Sequence, residues 1–200
     1  MNSVIEDYLK VICSHTEWQP DPITTGALAA RLGLAASSVT EMVKKLVAQG
    51  LVVHEPYGAV ELTPDGTALA LRMLRRHRLI ETWLVDLVGY RWDEVHDEAE
   101  VLEHAMSDRL LDALDVQLGH PVRDPHGDPI PAADGTVQRP DARPLLEVEG
   151  GTVVRISDRD PLVLRHLHAE GIGLDSVVRR DDLAAEAAAA VWVVVGLTGA

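Results

Sequence analysis

Two hundred residues, 46% of them apolar, are enough for more than one folded module, and aliphatic side chains must fill the cores because aromatics make up only 4% and phenylalanine is absent. A formal net charge of −14 argues against a chain that binds nucleic acid over its whole surface, and a single cysteine, Cys13, excludes an internal disulfide and fits a reducing compartment. The longest apolar run, residues 187–197, is too short for a bilayer and the opening MNSVIEDYLK is too charged for a signal peptide, so the expectation is no membrane and a cytoplasmic location.

In chain order, residues 3–15 predict a helix, with Val4, Ile5, Tyr8, Leu9, Val11 and Ile12 on one broad face. Pro20 and Pro22 mark a loop. Thr24 and Thr25 cap a short helix over 26–32 that Gly33 ends, and Ser37 or Ser38 begins a third helix running to Gly50. The period then changes: residues 51–54 and 59–62 read as strands with Pro56-Tyr57-Gly58 as the turn. Thr63-Pro64 restarts a helix that runs to about Val88, where Gly89 breaks it. Asp93 caps a helix to about Ala105 and Ser107 another to about Leu118. Residues 120–144 hold six prolines and predict a linker or irregular loop. Short strands are expected at 145–149, 152–156, 176–179 and 191–197, while the alanine-rich 183–190 is open between helix and loop.

Two short helices followed by a hairpin form the pattern of a winged helix-turn-helix, whose second helix enters the major groove of double-stranded DNA. That helix here offers Ser37, Ser38 and Thr40 at its start, where hydroxyls and free N–H groups suit phosphate oxygens, and Lys44 and Lys45 further on. The same features describe any capped helix with a solvated lysine pair.

The segment HDEAEVLEH carries the sharper chemistry. His96, Glu100, Glu103 and His104 fall at i, i+4, i+7 and i+8, so all four occupy about a third of a helix circumference. His77 and Glu81 repeat the i, i+4 spacing on the preceding helix, and Asp7 on the first helix can point toward the same bundle. Oxygen and imidazole donors without thiolate suit Mn(2+), Fe(2+), Co(2+) or Zn(2+) rather than Cu(I). Carboxylates and histidines on facing helices also build di-metal enzymes, which would leave the helix-turn-helix segment without a role.

The sequence resembles the diphtheria toxin repressor family of metal-dependent transcriptional regulators. The resemblance rests on EDYLK at 6–10, SSVTEMVKKL at 37–46, LTPDG at 62–66, RRHRLIE at 75–81, EVHDEAEVLEHAMSD at 94–108 and HGDPIP at 126–131. It implies a mainly α fold with a small C-terminal β domain: a winged helix-turn-helix over 1–70, a helical dimerisation and metal-binding domain over 71–120, a Pro-rich linker over 121–144, and an SH3-like (FeoA-like) barrel over 145–200. It further implies a non-enzymatic, homodimeric repressor of a DNA operator, in the service of metal homeostasis. A primary metal site maps to Asp7, Glu100, Glu103 and His104, and an ancillary one to His77, Glu81 and His96 with a third-domain ligand, Asp160 or alternatively His166 or His168. Iron-sensing members carry Met and Cys where this chain has Asp7 and Glu100, so the resemblance points to the manganese-sensing branch, with an iron(II)-responsive regulator of the same fold as the alternative. Compact manganese regulators have an acidic residue where this chain has Lys10, and they lack the third domain.

Overall fold

The computed structural model describes residues 3–19, 21–55 and 58–196. The chain divides into two compact units, Met1–Arg75 with Ala133–Gly135, and Arg76–Ala132 with Thr136–Ala200.

In the first unit, helices α1 (Ser3–Thr16), α2 (Thr25–Leu32) and α3 (Ala36–Ala48) precede the antiparallel pair β1 (Val52–His54) and β2 (Val60–Leu62). Thr24 caps α2 by accepting the Ala27 N–H, and Gly33 ends it in the left-handed conformation at φ 65°. The core is aliphatic as composition required: Leu9 and Ile12 of α1, Leu28 of α2, and Val39, Val43 and Leu46 of α3 close over Val52 and Val60. α3 begins one residue earlier than expected, and no side chain caps it. Ser37 and Ser38 therefore lie inside its first turn, and Thr40 bonds back to the Ala36 carbonyl at 2.8 Å. Two of the three residues expected to make the wing turn, Pro56 and Tyr57, lie outside the described residues.

Helix α4 (Pro64–Trp83) starts where Thr63 Oγ1 accepts the Gly66 N–H and donates to the Gly50 carbonyl. It ends in a single π-helical turn over Leu84–Val88. In the second unit α5 (Val95–Glu103) and α6 (Asp108–Gln117) pack on the C-terminal half of α4 through Leu79, Ile80, Leu84, Val95, Ala99 and Leu111. The β part is a four-stranded antiparallel sheet in the order β3-β6-β4-β5: β3 (Arg143–Pro144), β4 (Gly150–Ile156), β5 (Val177–Arg179) and β6 (Val191–Val194). Its core is Leu145, Val153, Ile156, Leu164, Leu167, Val191 and Val193. Two helices belong to it. α7 (Pro161–Ala169) is absent from the sequence expectation although Asp160-Pro161 is a capping signal, and α8 (Ala185–Ala189) settles the alanine-rich stretch as helix. Residues 145–149 are a 3-10 turn and bend rather than a strand, and β6 stops at Val194.

The expectation of a linker over 121–144 fails in its first half. Asp124, His126, Asp128 and Ile130 are buried. The Ile156 N–H donates to the His126 carbonyl at 2.8 Å, and Arg78 donates to the Pro129 carbonyl at 2.6 Å. Prolines here rigidify a strap lying across β4 instead of loosening a tether. Gly127, at φ 90°, allows this: a Cβ there would stand 2.0 Å from the Val154 carbonyl oxygen. The helical part and the β part thus share one unit, against the expected boundary at 144. Among the described residues no helix is long and apolar enough to cross a membrane.

Candidate metal centre

One turn of α4 separates His77 from Glu81, and both are buried. α5 presents His96, Glu100 and Glu103 to them, with His104 at its C-terminal cap. His77 Nε2 lies 3.0 Å from Glu81 Oε1 and 3.2 Å from His96 Nδ1, while its Nδ1 lies 2.6 Å from Glu103 Oε2 and 3.9 Å from Glu100 Oε1. His96 Nδ1 is 3.3 Å from Glu81 Oε1, and His96 Nε2 is 3.5 Å from Glu100 Oε1. Glu103 Oε1 lies 3.4 Å from His104 Nε2. Arg76 fixes the end of α5 by donating to the Glu103 and Met106 carbonyls and pairing with Asp108.

Glu81 is a pivot. Its second oxygen, Oε2, faces His126 Nδ1 at 3.9 Å. His126 Nε2 is 2.7 Å from the Trp92 carbonyl, which can only accept, so Nε2 donates there and Nδ1 is the ring nitrogen that faces the Glu81 carboxylate. That Nδ1 is buried and has no hydrogen-bond partner. Asp124 completes the buried set; its Oδ1 accepts the His126 and Asp128 N–H groups at 2.8 and 2.9 Å. Two donors each about 2.1 Å from one ion stand roughly 3 to 4.2 Å apart, so the 3.9 Å gap suits a shared divalent cation and is too long for a hydrogen bond. The donor sets His77–His96–Glu100, Glu81–His96–Asp158 and Glu81–Asp124–His126 each fall within 4.8 Å. All are oxygen or imidazole, so the residues fit a borderline or hard dication.

The electrostatics agree. Burial works against the charge of Glu81, yet His77, His96 and His126 hold its carboxyl well below the usual range. Burial, with Asp128 and Glu81 close by, pushes Asp124 up to about 8. His126 and His96 both shift upward: burial opposes their charge, but Glu81 and Asp158 raise both, and Asp124 also raises His126. Glu81, Asp124 and Asp158 therefore offer carboxylates whose charged form a bound cation would stabilise, beside the buried guanidinium of Arg78, 3.7 Å from Asp124 Oδ2.

The structure brings together the candidate ligands of α4 and α5 but none of the third-domain candidates, Asp160, His166 and His168. Asp160 caps α7 by accepting the Leu162 N–H at 2.8 Å, and the nearby Asp158 faces His96 Nδ1 at 3.5 Å instead. His166 pairs with Glu170 on its own helix, and the His168 ring lies 6.4 Å from that of Trp92. Sequence reasoning missed Asp124, His126 and Asp158 as donors. HGDPIP stood out as a motif, but the expected linker hid its burial. In the first unit Asp7 is half-buried on α1, and Ser37, Ser38, Thr40, Lys44 and Lys45 are all exposed on α3. Lys44 is paired with Glu41 at 2.7 Å.

Comparison with known proteins matches residues 1–60 to the N-terminal DNA-binding domain of iron-dependent repressors and residues 63–132 to their metal-binding and dimerisation domain. A solved manganese-dependent transcriptional repressor in complex with manganese superposes with a TM-score of 0.90 at 51% identity, covering 96% of this chain and 99% of that one. The chain belongs to the diphtheria toxin repressor family. Further comparisons extend the likeness: the structure of ScaR with bound Zn2+ has a TM-score of 0.78 at 31% identity, covering 98% of this chain and 100% of that one. The diphtheria toxin repressor of Corynebacterium efficiens is 38% identical over 126 residues, which is 63% of this chain and 54% of that protein. The iron-dependent repressor IdeR of Mycobacterium tuberculosis is 37% identical over 134 residues, 66% of this chain and 58% of that protein. The chain thus spans little more than half the length of these two relatives.

Proposed function

We propose that the protein is a manganese-activated transcriptional repressor, a cytoplasmic homodimer that binds a double-stranded DNA operator and controls metal homeostasis. The observation that carries this is the buried, sulfur-free set of carboxylates and imidazoles around Glu81 and Glu103, in a chain whose N-terminal residues match a repressor's DNA-binding domain. The full-length structural likeness to a manganese-dependent repressor supports manganese. A di-metal enzyme has no such support, since both matching family models describe repressor domains.

The primary centre comprises Glu100, Glu103 and His104, joined by Asp7 as the resemblance implies. A bound dication supplies the positive charge and directional coordination that this set lacks. Without it the carboxylates repel one another and α1 is held loosely. On the resemblance, Asp7 would then tie the DNA-binding module, residues 1–70, to the dimerisation module, residues 71–120, and fix the spacing of the two α3 helices in a dimer before DNA is met. Ser37, Ser38, Thr40, Lys44 and Lys45 then face DNA, the lysines toward phosphate. The ancillary centre comprises His77, Glu81 and His96, enlarged by Asp124, His126 and Asp158. It stiffens the second unit and docks the β module of residues 145–200 on the helices.

The curated iron-dependent relatives favour a second reading, activation by iron(II). Titration of operator binding against manganese, iron(II) under anaerobic conditions and zinc separates the two. Activation by manganese at lower free-metal concentration than iron(II) is expected. Operator binding that is equally tight in chelator refutes metal activation altogether.

A further inference from the structure

We propose that Asp93 is a positioning residue for the ancillary centre: by gripping Arg165 of α7 it sets Asp158 in front of His96 before a cation arrives. This rests on the metal-sensing reading above. Asp93 and its neighbour Trp92 lie in the turn that leads into α5, the helix of His96. Asp158 lies in the turn that leads into α7, and Arg165 stands on that helix. The two elements are linked twice. Asp158 Oδ2 faces His96 Nδ1 at 3.5 Å, where a cation would join them. Arg165 Nε donates to Asp93 Oδ2 at 2.6 Å, a link that needs no cation.

The Asp93 side chain is 1% exposed. Burial opposes its charge, but Arg165 and Arg91 hold its carboxyl below the usual range, so both bonds are made to a carboxylate and are of the strong, charge-assisted kind. Trp92 makes the same turn the seat of the strap. Its carbonyl accepts from His126 Nε2 at 2.7 Å, and its ring is 6.0 Å from that of His126 and 6.4 Å from that of His168 on α7. The pair Trp92-Asp93 thus receives both elements that bring donors from outside α4 and α5: the strap with Asp124 and His126, and the α7 turn with Asp158. Asp158 and Glu81 belong to one donor set within 4.8 Å, so without a cation their charges push the turn outward. The Asp93–Arg165 clasp opposes that push and lowers the ordering cost that the cation must otherwise meet. Supports of this kind change metal affinity about 10- to 100-fold. The direction of the effect separates position from charge. Acting only through space, the Arg165 cation repels a bound dication, and its removal tightens binding. Acting through the clasp, its removal weakens binding.

The test is manganese titration of the full chain without DNA, with free Mn(2+) read by electron paramagnetic resonance. The ancillary centre is identified as the one that Glu81→Gln removes. Arg165→Gln opens the clasp while Asp93 keeps Arg91 at 2.9 Å, so no buried charge is orphaned. Arg91→Gln is the control: it removes the same charge from the same carboxylate but spans no two elements. Circular dichroism checks each fold. Arg165→Gln should weaken the ancillary centre about tenfold and, in chelator, speed hydrogen exchange over residues 157–169. Arg165→Lys should keep most of both properties, and Arg91→Gln should change neither. In an Asp93→Asn or an Asp158→Asn background, Arg165→Gln should add no further weakening. Unchanged or tighter manganese binding by Arg165→Gln overturns the assignment, as does an equal loss in Arg91→Gln or a further loss in either background. Those outcomes leave the metal-sensing reading standing, whereas a parent protein that binds no manganese overturns both.

Discussion

Gly127 is the position where fold and metal chemistry meet most tightly, and Gly127→Ala tests both. The residue sits at φ 90°, and an added Cβ would come within 2.0 Å of the Val154 carbonyl oxygen and 2.9 Å of Arg155 Cα and Leu174 Cδ2. Two of these atoms are backbone of β4, so the strap must lift rather than a side chain swing aside. The left-handed conformation alone costs an L-residue about 1–2 kcal/mol. Lifting the strap also breaks the bond from the Ile156 N–H to the His126 carbonyl, a net loss of about 1 kcal/mol, with more if the donor stays buried and unpaired. The total is about 3 kcal/mol, which lowers the melting temperature of a chain this size by roughly 6–12 °C. Because the strap delivers Asp124 and His126, manganese affinity at the ancillary centre should fall more than about tenfold at the same time. Calorimetry in chelator reads the first effect and manganese titration the second. A variant that melts within about 1 °C of the parent and binds manganese equally well would show that the close approach of strap and β4 does not hold the site together.

Four other outcomes are expected. Glu103→Ala or His104→Ala should abolish metal-activated operator binding in a mobility-shift assay while leaving the dimer intact by sedimentation; tight binding by either variant in chelator contradicts the mechanism. Lys45→Ala should weaken binding to all DNA sequences alike and flatten the salt dependence by about one unit, whereas Lys44→Ala should do less because Glu41 already engages that ammonium; a changed sequence preference with an unchanged slope argues for base contact instead. Asp124, raised by burial to about 8, keeps its proton when folded up to that pH but loses it above about pH 4 when unfolded, so its contribution to stability falls as pH rises through that window. In chelator Asp124→Asn should therefore gain melting temperature relative to the parent from about pH 5 to about pH 8, and a pH-independent difference refutes the assignment. Asp7→Met combined with Glu100→Cys should shift activation from manganese toward iron(II) or cobalt, because softer sulfur donors favour later metals; an unaltered order of the three metals means these residues do not set the preference.

Much of this protein is legible in its sequence because the relevant signals are local. The 3.6-residue spacing of apolar side chains in α1, the Thr24 cap, Gly33 and the Thr63-Pro64 restart each act within a few residues, and the i, i+4 spacing of His77 with Glu81 and of His96 with Glu100 places donors on one helix face whatever surrounds it. Tertiary structure alone decides the rest. Six prolines in 25 residues read as a tether, yet close approach at Gly127 lets the strap bury Asp124 and His126 beside Glu81. Asp158 and Asp160 are indistinguishable by composition; helix capping takes Asp160 and leaves Asp158 facing His96. Local spacing tells which residues share a face, but only packing across elements distant in sequence tells which faces meet, and the donors of the ancillary centre come from four such elements.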